Sequence, residues 1–283
     1  MGAMKKAGVM GWPVAHSLSP ALHQFWLREH GIAGSYESLA VPPDRLAGAL
    51  RALAAKGFAG CNLTIPHKET ALPLMELLDP AARRIGAVNT VAVGPDGALS
   101  GYNTDGYGFV ENLRAEIPGW KADAGPAVVL GAGGAARAIL DALIRAGAPE
   151  IRLANRHRAR AEDLAKAFGG AIKVADWQDR QRALAGAALL VNATSLGMEQ
   201  NPPLELDLAG LPQGAAVCDI VYAPLETALL KRAKARGLHA ADGLGMLLHQ
   251  ARPAFKLWFG VLPEVTPELR RAVLAARAAG HSP

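Results

Sequence analysis

Cysteine is nearly absent from this chain of 283 residues; Cys61 and Cys218 are its two. Both sit in apolar, strand-like runs, so buried thiols are expected, and neither a disulfide framework nor a metal site is. No apolar run approaches the ~18 residues of a membrane-crossing helix. The start, Met1-Gly2-Ala3-Met4-Lys5-Lys6, lacks the apolar stretch of a signal peptide, and a cytoplasmic location is expected. It leaves open whether residues 1–3 are an expression remnant with Met4 as the natural start. Aromatic residues make up only 5%, while alanine and glycine are plentiful, which suits helices packed closely on a sheet. No repeat of solenoid period and no low-complexity segment occurs. Basic residues outnumber acidic ones 30 to 25, but they are spread over many helix faces without aromatic stacking clusters. Nucleic-acid binding is therefore not indicated.

What is present is a strand that runs through glycines into an Ala-rich helix, Val128-Val129-Leu130-Gly131-Ala132-Gly133-Gly134-Ala135-Ala136. In this G-x-G-x-x-A pattern Gly131 permits the tight turn and Gly133 lets backbone approach a pyrophosphate. Ala136 allows close packing of helix on strand. Free amides and the helix dipole then attract phosphate. The next strand, near 150–154, ends at Asn155-Arg156-His157-Arg158-Ala159-Arg160. An acid that would hold a ribose 2′-hydroxyl is missing there. Arginines suit a 2′-phosphate instead, so NADP is expected over NAD. The mild net charge of +5 fits an anionic small substrate and a phosphorylated cofactor.

Taken in order, the pattern predicts a strand at 7–11, a helix from Ser19 with Pro20 at its first turn, and a strand at 36–41. A helix from Asp44 closes at Gly57, a strand spans 58–64, and another helix starts at His67. A hairpin turns about Pro95-Asp96-Gly97. A helix covers 106–117. Strands near 127–131, 150–154, 171–174, 187–192 and 215–219 alternate with helices as one doubly wound unit. Helices at 244–259 and 268–279 close the chain. The expected class is α/β with two domains: an N-terminal α/β substrate-binding and catalytic domain, 1–105 plus 243–283, and a Rossmann-type NADP domain, 106–242. The chemistry is expected in the cleft between them.

Several polar residues lie where apolar ones would serve packing better. Ser17 and Ser19 put two hydroxyls in one loop; Ser19 also reads as a plain helix N-cap, whereas Ser17 caps nothing obvious. Asn62-Leu63-Thr64-Ile65-Pro66-His67-Lys68 ends a strand, where ligands of open α/β sheets sit. Lys68 falls in a helix's first turn, against the dipole, and His67 diverges from it. Asn89 and Asp105 lie in similar polar breaks. Asp105 reads either as an N-cap or as a partner that fixes the Lys68 ammonium for proton transfer. Thr194, after a later strand, faces nucleotide or merely forms its loop. Gln250, at helical spacing from Met246 and Gly243, reads alone as a surface glutamine.

Together these segments resemble the shikimate dehydrogenase family over 8–262. The carrying motifs are 11–20, 62–68, 86–90, 103–106, 131–135, 155–156, 192–195 and 241–247, in the family's order. The resemblance implies reversible NADPH-dependent reduction of 3-dehydroshikimate to shikimate, in aromatic amino-acid biosynthesis. It implies that Ser17 and Ser19 bind the substrate carboxylate. Thr64, Asn89, Asp105, Tyr222 and Gln250 would contact ring hydroxyls or hold their neighbours. Lys68 would transfer the proton with Asp105 beside it. Gly131, Ala132, Gly133, Gly134 and Ala135 would hold the pyrophosphate. Asn155, Arg156 and Arg160, with His157 in the same turn, would hold the 2′-phosphate. Thr194, Ile220, Gly243 and Met246 would complete the cofactor site, the last three on the nicotinamide side. His67 stands where a bulkier residue is expected, and His157 replaces a threonine. The expected partners are the small-molecule substrate alone and, as a possibility, a second copy as homodimer; no nucleic acid, membrane or metal is expected. The rival readings are a quinate or dual quinate/shikimate dehydrogenase and a non-catalytic NADP-binding sensor.

Overall fold

In chain order the computed structural model begins with β1 (Lys5–Gly11), α1 (Ser19–Glu29), β2 (Gly34–Ala40), α2 (Leu46–Arg51) and β3 (Phe58–Leu63). There follow α3 (His67–Thr70), β4 (Leu77–Leu78), α4 (Pro80–Ile85), β5 (Thr90–Val93) and β6 (Leu99–Tyr102). Next come α5 (Asp105–Glu116), β7 (Ala127–Leu130), α6 (Gly134–Arg145), β8 (Ile151–Ala154), α7 (Arg158–Phe168) and β9 (Ile172–Ala175). The chain continues with β10 (Leu189–Asn192), β11 (Ala216–Asp219), α8 (Ala228–Ala235), β12 (His239–Ala241), α9 (Gly243–Phe259) and α10 (Pro267–Ala279). The structure describes residues 4–279; residues 1–3, on which the remnant question falls, lie outside the described residues.

The chain divides into two compact units, Met1–Thr104 with Gln250–Pro283, and Asp105–His249. The expected divisions were 105/106 and 242/243. The first falls one residue earlier because Asp105 already belongs to α5. The second falls within α9, whose first turns, through Met246, pack with the second unit's core.

The first unit holds a mixed six-stranded sheet, β2-β1-β3-β5-β6-β4. β1 is buried over five successive residues, as a strand covered on both faces must be. Leu50, Leu63, Val88 and Val91 share a core cluster with Met10. A second layer is aromatic: His23 stacks on Tyr36 at 4.0 Å, 5° from parallel, with Trp26, Phe255 and Trp258 around it. The Trp258 indole N–H donates to the Val91 carbonyl at 3.0 Å, joining α9 to β5.

The second unit is a wholly parallel sheet, β12-β11-β10-β7-β8-β9, the doubly wound order. Successive residues of β7 point to opposite faces. Val129 joins the cluster under α5, α6 and α7, while Val128 and Leu130 join the one that contains Leu229 and Leu230 of α8. β4 and β12, with two and three residues, leave too short a pattern for sequence to show.

Candidate functional site

β1 and β3 run parallel, β5 runs against β3, and β6 against β5. The loops after β1, β3 and β6 and the segment before β5 therefore share one end of the first unit's sheet. The polar segments 12–19, 64–68, 87–89 and 103–104 all lie there.

Backbone bonds shape each loop. Thr64 N–H donates to Met10 C=O at 3.0 Å, and His67 N–H to Thr64 C=O at 2.8 Å. The Lys68 carbonyl accepts from Val88 N–H at 2.7 Å. This anchors the lysine's backbone to the residue before Asn89. α3 has only four residues, so the dipole that was expected to oppose Lys68 scarcely builds up. His67 is fully buried, and its Nε2 meets the Val41 carbonyl at 2.8 Å. It ties α3 to the chain after β2.

The two serines exchange their expected parts. Ser19 is the first helical residue of α1 and caps nothing, since Leu18 holds the cap position. The Ser17 Oγ accepts the Ser19 N–H at 3.3 Å, because a hydroxyl two residues back reaches a free helix amide. Ser19 is buried, close enough to the Tyr36 phenol to oppose part of the rise in its pKa. Gln250 is no surface residue. It is 8% exposed, and its Oε1 accepts from Asn89 Nδ2 at 3.1 Å.

Asn89 is the hub of this end. Its Oδ1 accepts from Thr104 N–H at 2.9 Å and from the Thr90 hydroxyl at 3.0 Å; its Nδ2 also reaches Thr104 Oγ1 at 2.9 Å. Behind it, Asn62 Nδ2 donates to Asn89 C=O and to Thr90 Oγ1, each at 3.1 Å, and Asn62 Oδ1 accepts the Tyr36 phenol at 2.6 Å. Burial, with Cys61 nearby, pushes the Tyr36 pKa well up, so it donates as a neutral phenol. Buried amides cost several kcal/mol if unpaired, and here each pairs with the next. Tyr36 and Asn62 are not among the expected site residues. An asparagine inside the apolar run of β3 was the signal for one; Tyr36, in an ordinary strand, gave none. Thr104 lay in a polar break and was likewise not singled out. Asp105 follows it as the first residue of α5, 3% exposed, which places it inside the helix rather than at a flanking cap.

In the second unit the strand order reverses between β7 and β10, which is where such sheets bind ligands. Gly131 has φ +110°. A Cβ there would lie 2.7 Å from the Ala193 carbonyl, so only glycine fits between the two loops. At Gly133 a Cβ would meet nothing within 4 Å. Gly133 caps α6 with no side-chain bond, leaving the first amides of a 12-residue helix open to an anion. Gly131 to Ala135 thus fit a pyrophosphate. After β8, Asn155 Nδ2 donates to the His157 carbonyl at 2.9 Å, shaping the turn. Arg156, His157 and Arg160 are exposed. Arg158 is committed to Glu162 at 2.7 Å and Asp176 at 2.5 Å. The exposed guanidinium groups of Arg156 and Arg160 in this turn have the charge and the planar donors that suit a 2′-phosphate.

Thr194 serves its own loop: its hydroxyl donates to Asn192 Oδ1 at 2.7 Å and accepts from Leu196 N–H at 3.1 Å. Ile220 and Tyr222 follow β11, both half-buried. Gly243 opens α9, where a Cβ would stand 2.2 Å from the Ile220 carbonyl. Met246, one turn on, is buried. Among the described residues no cluster of His, Cys, Asp or Glu could hold a metal, and no helix is long and apolar enough to cross a membrane.

Three family models match the chain: the shikimate dehydrogenase substrate binding domain over 9–91, shikimate/quinate 5-dehydrogenase over 115–199, and the shikimate 5′-dehydrogenase C-terminal domain over 243–274. The chain is similar to the shikimate dehydrogenase (NADP(+)) of Rhodospirillum rubrum, at 59% identity over 277 residues, covering 96% of this chain and 98% of that protein. Among solved structures it is similar to the shikimate 5-dehydrogenase of Thermus thermophilus in complex with NADP(H) and shikimate. That match has a TM-score of 0.85 at 42% identity and covers 98% and 100% of the two chains. The quinate dehydrogenase of Corynebacterium glutamicum in complex with NAD matches with a TM-score of 0.88 at 33% identity, covering 96% and 99%.

Proposed function

The chain belongs to the shikimate dehydrogenase family, and we propose that it catalyses the reversible NADPH-dependent reduction of 3-dehydroshikimate to shikimate. NADPH, when bound, supplies the hydride. Gly131 to Ala135 hold the pyrophosphate, and Asn155, Arg156 and Arg160 the 2′-phosphate. Ser17 and Ser19 bind the substrate carboxylate. Thr64, Tyr222 and Gln250 orient the ring hydroxyls, with Asn89 holding its neighbours in place. Lys68, as an ammonium, donates a proton to the alkoxide that forms at the reduced carbon, and takes it back in the reverse direction. Asp105 orients that ammonium and hydrogen-bonds the reacting hydroxyl.

One observation carries the Lys68–Asp105 pairing. The Lys68 carbonyl is bound to Val88, and the neighbouring Asn89 side chain holds the N–H of Thr104, the residue before Asp105. One backbone bond and one side-chain bond thus tie Lys68 and Thr104 to the adjacent residues Val88 and Asn89. Lys68→Ala is expected to lower kcat by roughly 10²–10⁴ with little change in shikimate KM. Near-normal kcat with a much raised KM would reduce Lys68 to a binding residue. Shikimate is preferred to quinate as substrate because relatives at 52–59% identity carry the shikimate name, against 33% for the quinate enzyme. Initial rates on both substrates with NADP and NAD decide between them.

A further inference from the structure

Thr194, Ile220 and Tyr222 lie in the loops after β10 and β11, and a loop does not hold its own geometry as a helix does. Both loops converge on one carboxylate. Asp219, the last residue of β11, is fully buried. Its Oδ1 accepts from Asn192 Nδ2 at 2.9 Å and from Val221 N–H at 3.1 Å; its Oδ2 accepts from Thr227 Oγ1 at 2.7 Å. Each donor belongs to a different segment. Asn192 ends β10, and its Oδ1 takes both the N–H and the hydroxyl of Thr194, at 3.1 and 2.7 Å. Val221 lies between Ile220 and Tyr222. Thr227 caps α8 by accepting Leu230 N–H at 3.3 Å. The Ile220 N–H donates to Asn192 C=O at 3.1 Å, and the Ile220 carbonyl leaves no room for a Cβ on Gly243.

A buried carboxylate held only by neutral donors is a costly way to join two loops. Burial lifts its pKa to about 6 despite those three bonds. Packing alone would be served as well by apolar groups. We propose that Asp219 is a positioning residue that locks the β10 and β11 loops together, so that Ile220, with Thr194 beside it in the cofactor site, presents a fixed surface to the nicotinamide half of the cofactor, while Tyr222 keeps its place toward the substrate ring. The proposal rests on the NADP-dependent function above and adds to it the residue on which the nicotinamide side is built.

Calorimetric binding to the full chain tests it with two probes. NADP⁺ spans the whole cofactor site, whereas adenosine 2′,5′-bisphosphate reaches only its adenosine side, the turn after β8 and, through its 5′-phosphate, the glycine turn after β7. Asp219→Ala is expected to weaken NADP⁺ binding roughly tenfold or more, as the loss of buried hydrogen bonds implies, with the bisphosphate changed by less than about twofold. Asp219→Asn, which keeps an acceptor toward Asn192 and Val221, should recover most of the loss. Equal weakening of both probes would mean general damage to the unit, and no weakening of either would mean no role; each overturns the proposal. If Asp219→Ala does not fold, Thr227→Val decides. Weaker NADP⁺ binding with unchanged bisphosphate binding supports it, and unchanged NADP⁺ binding overturns it. Turnover of shikimate by the unaltered protein is measured separately, and its absence would count against the proposed reaction, not against this role.

Discussion

His23 and Asp219 are both buried, and burial moves their pKa values with opposite effects on stability. His23 has neither ring nitrogen hydrogen-bonded, and burial lowers its pKa from 6.5 to about 3. Below pH 6.5 the unfolded chain takes a proton that the folded chain refuses, so stability falls with acid. From pH 7.5 to 4.5 this should cost roughly 3 kcal/mol, a loss that His23→Phe removes; urea midpoints at the two pH values measure it. Asp219 is raised from 3.8 to about 6. Here the folded chain holds the proton longer. The stabilisation is present below pH 3.8 and is lost as pH rises through about 6. Relative to Asp219→Asn, the unaltered protein should lose roughly 3 kcal/mol between pH 3.5 and 7. The proposed role of Arg156 concerns the ligand instead. With Arg158 held by Glu162 and Asp176, Arg156→Ala should raise KM for NADP while sparing NAD. Equal effects on both cofactors would remove it from the 2′-phosphate site.

Elements place residues that cannot place themselves. α3 is a single turn, too short to be stable alone. It stands because His67 and the Lys68 carbonyl bind it to Val41 and Val88. The strand–turn–helix of β7 and α6 depends on a different limit, the contact between the loops after β7 and β10. Gly131→Ala adds a Cβ at φ +110° and 2.7 Å from the Ala193 carbonyl. The strain and the clash together should cost roughly 1–3 kcal/mol. Thermal melting should show that loss, and NADP binding should weaken with it. Gly133→Ala, with open space around the new Cβ, should leave the melting temperature nearly unchanged and affect only binding. The sequence pattern shows β7, α6 and β8 because burial and helix periods are local. It does not show β4 or β12, whose few residues carry no period.

At the scale of the molecule, the second unit is continuous in the chain and the first is not. The second also has a complete six-stranded sheet with core clusters on both faces. A fragment of residues 105–249 should therefore fold cooperatively and bind adenosine 2′,5′-bisphosphate, as circular dichroism and calorimetry would show. The sequence alone determined the α/β class, the doubly wound cofactor unit and the short motifs on which the proposed site is built, because turn glycines, caps and strand runs act over a few residues. It also marked Asn89, Gln250 and Lys68, though with the wrong local reasons for Gln250 and Lys68. Only the tertiary structure decided which buried polar groups meet. Asn89 and Gln250 are 161 residues apart, Asn62 and Thr90 are 28, and Asn192 and Asp219 are 27. Such partners are chosen by strand order and register, and no run of neighbouring residues encodes those by itself.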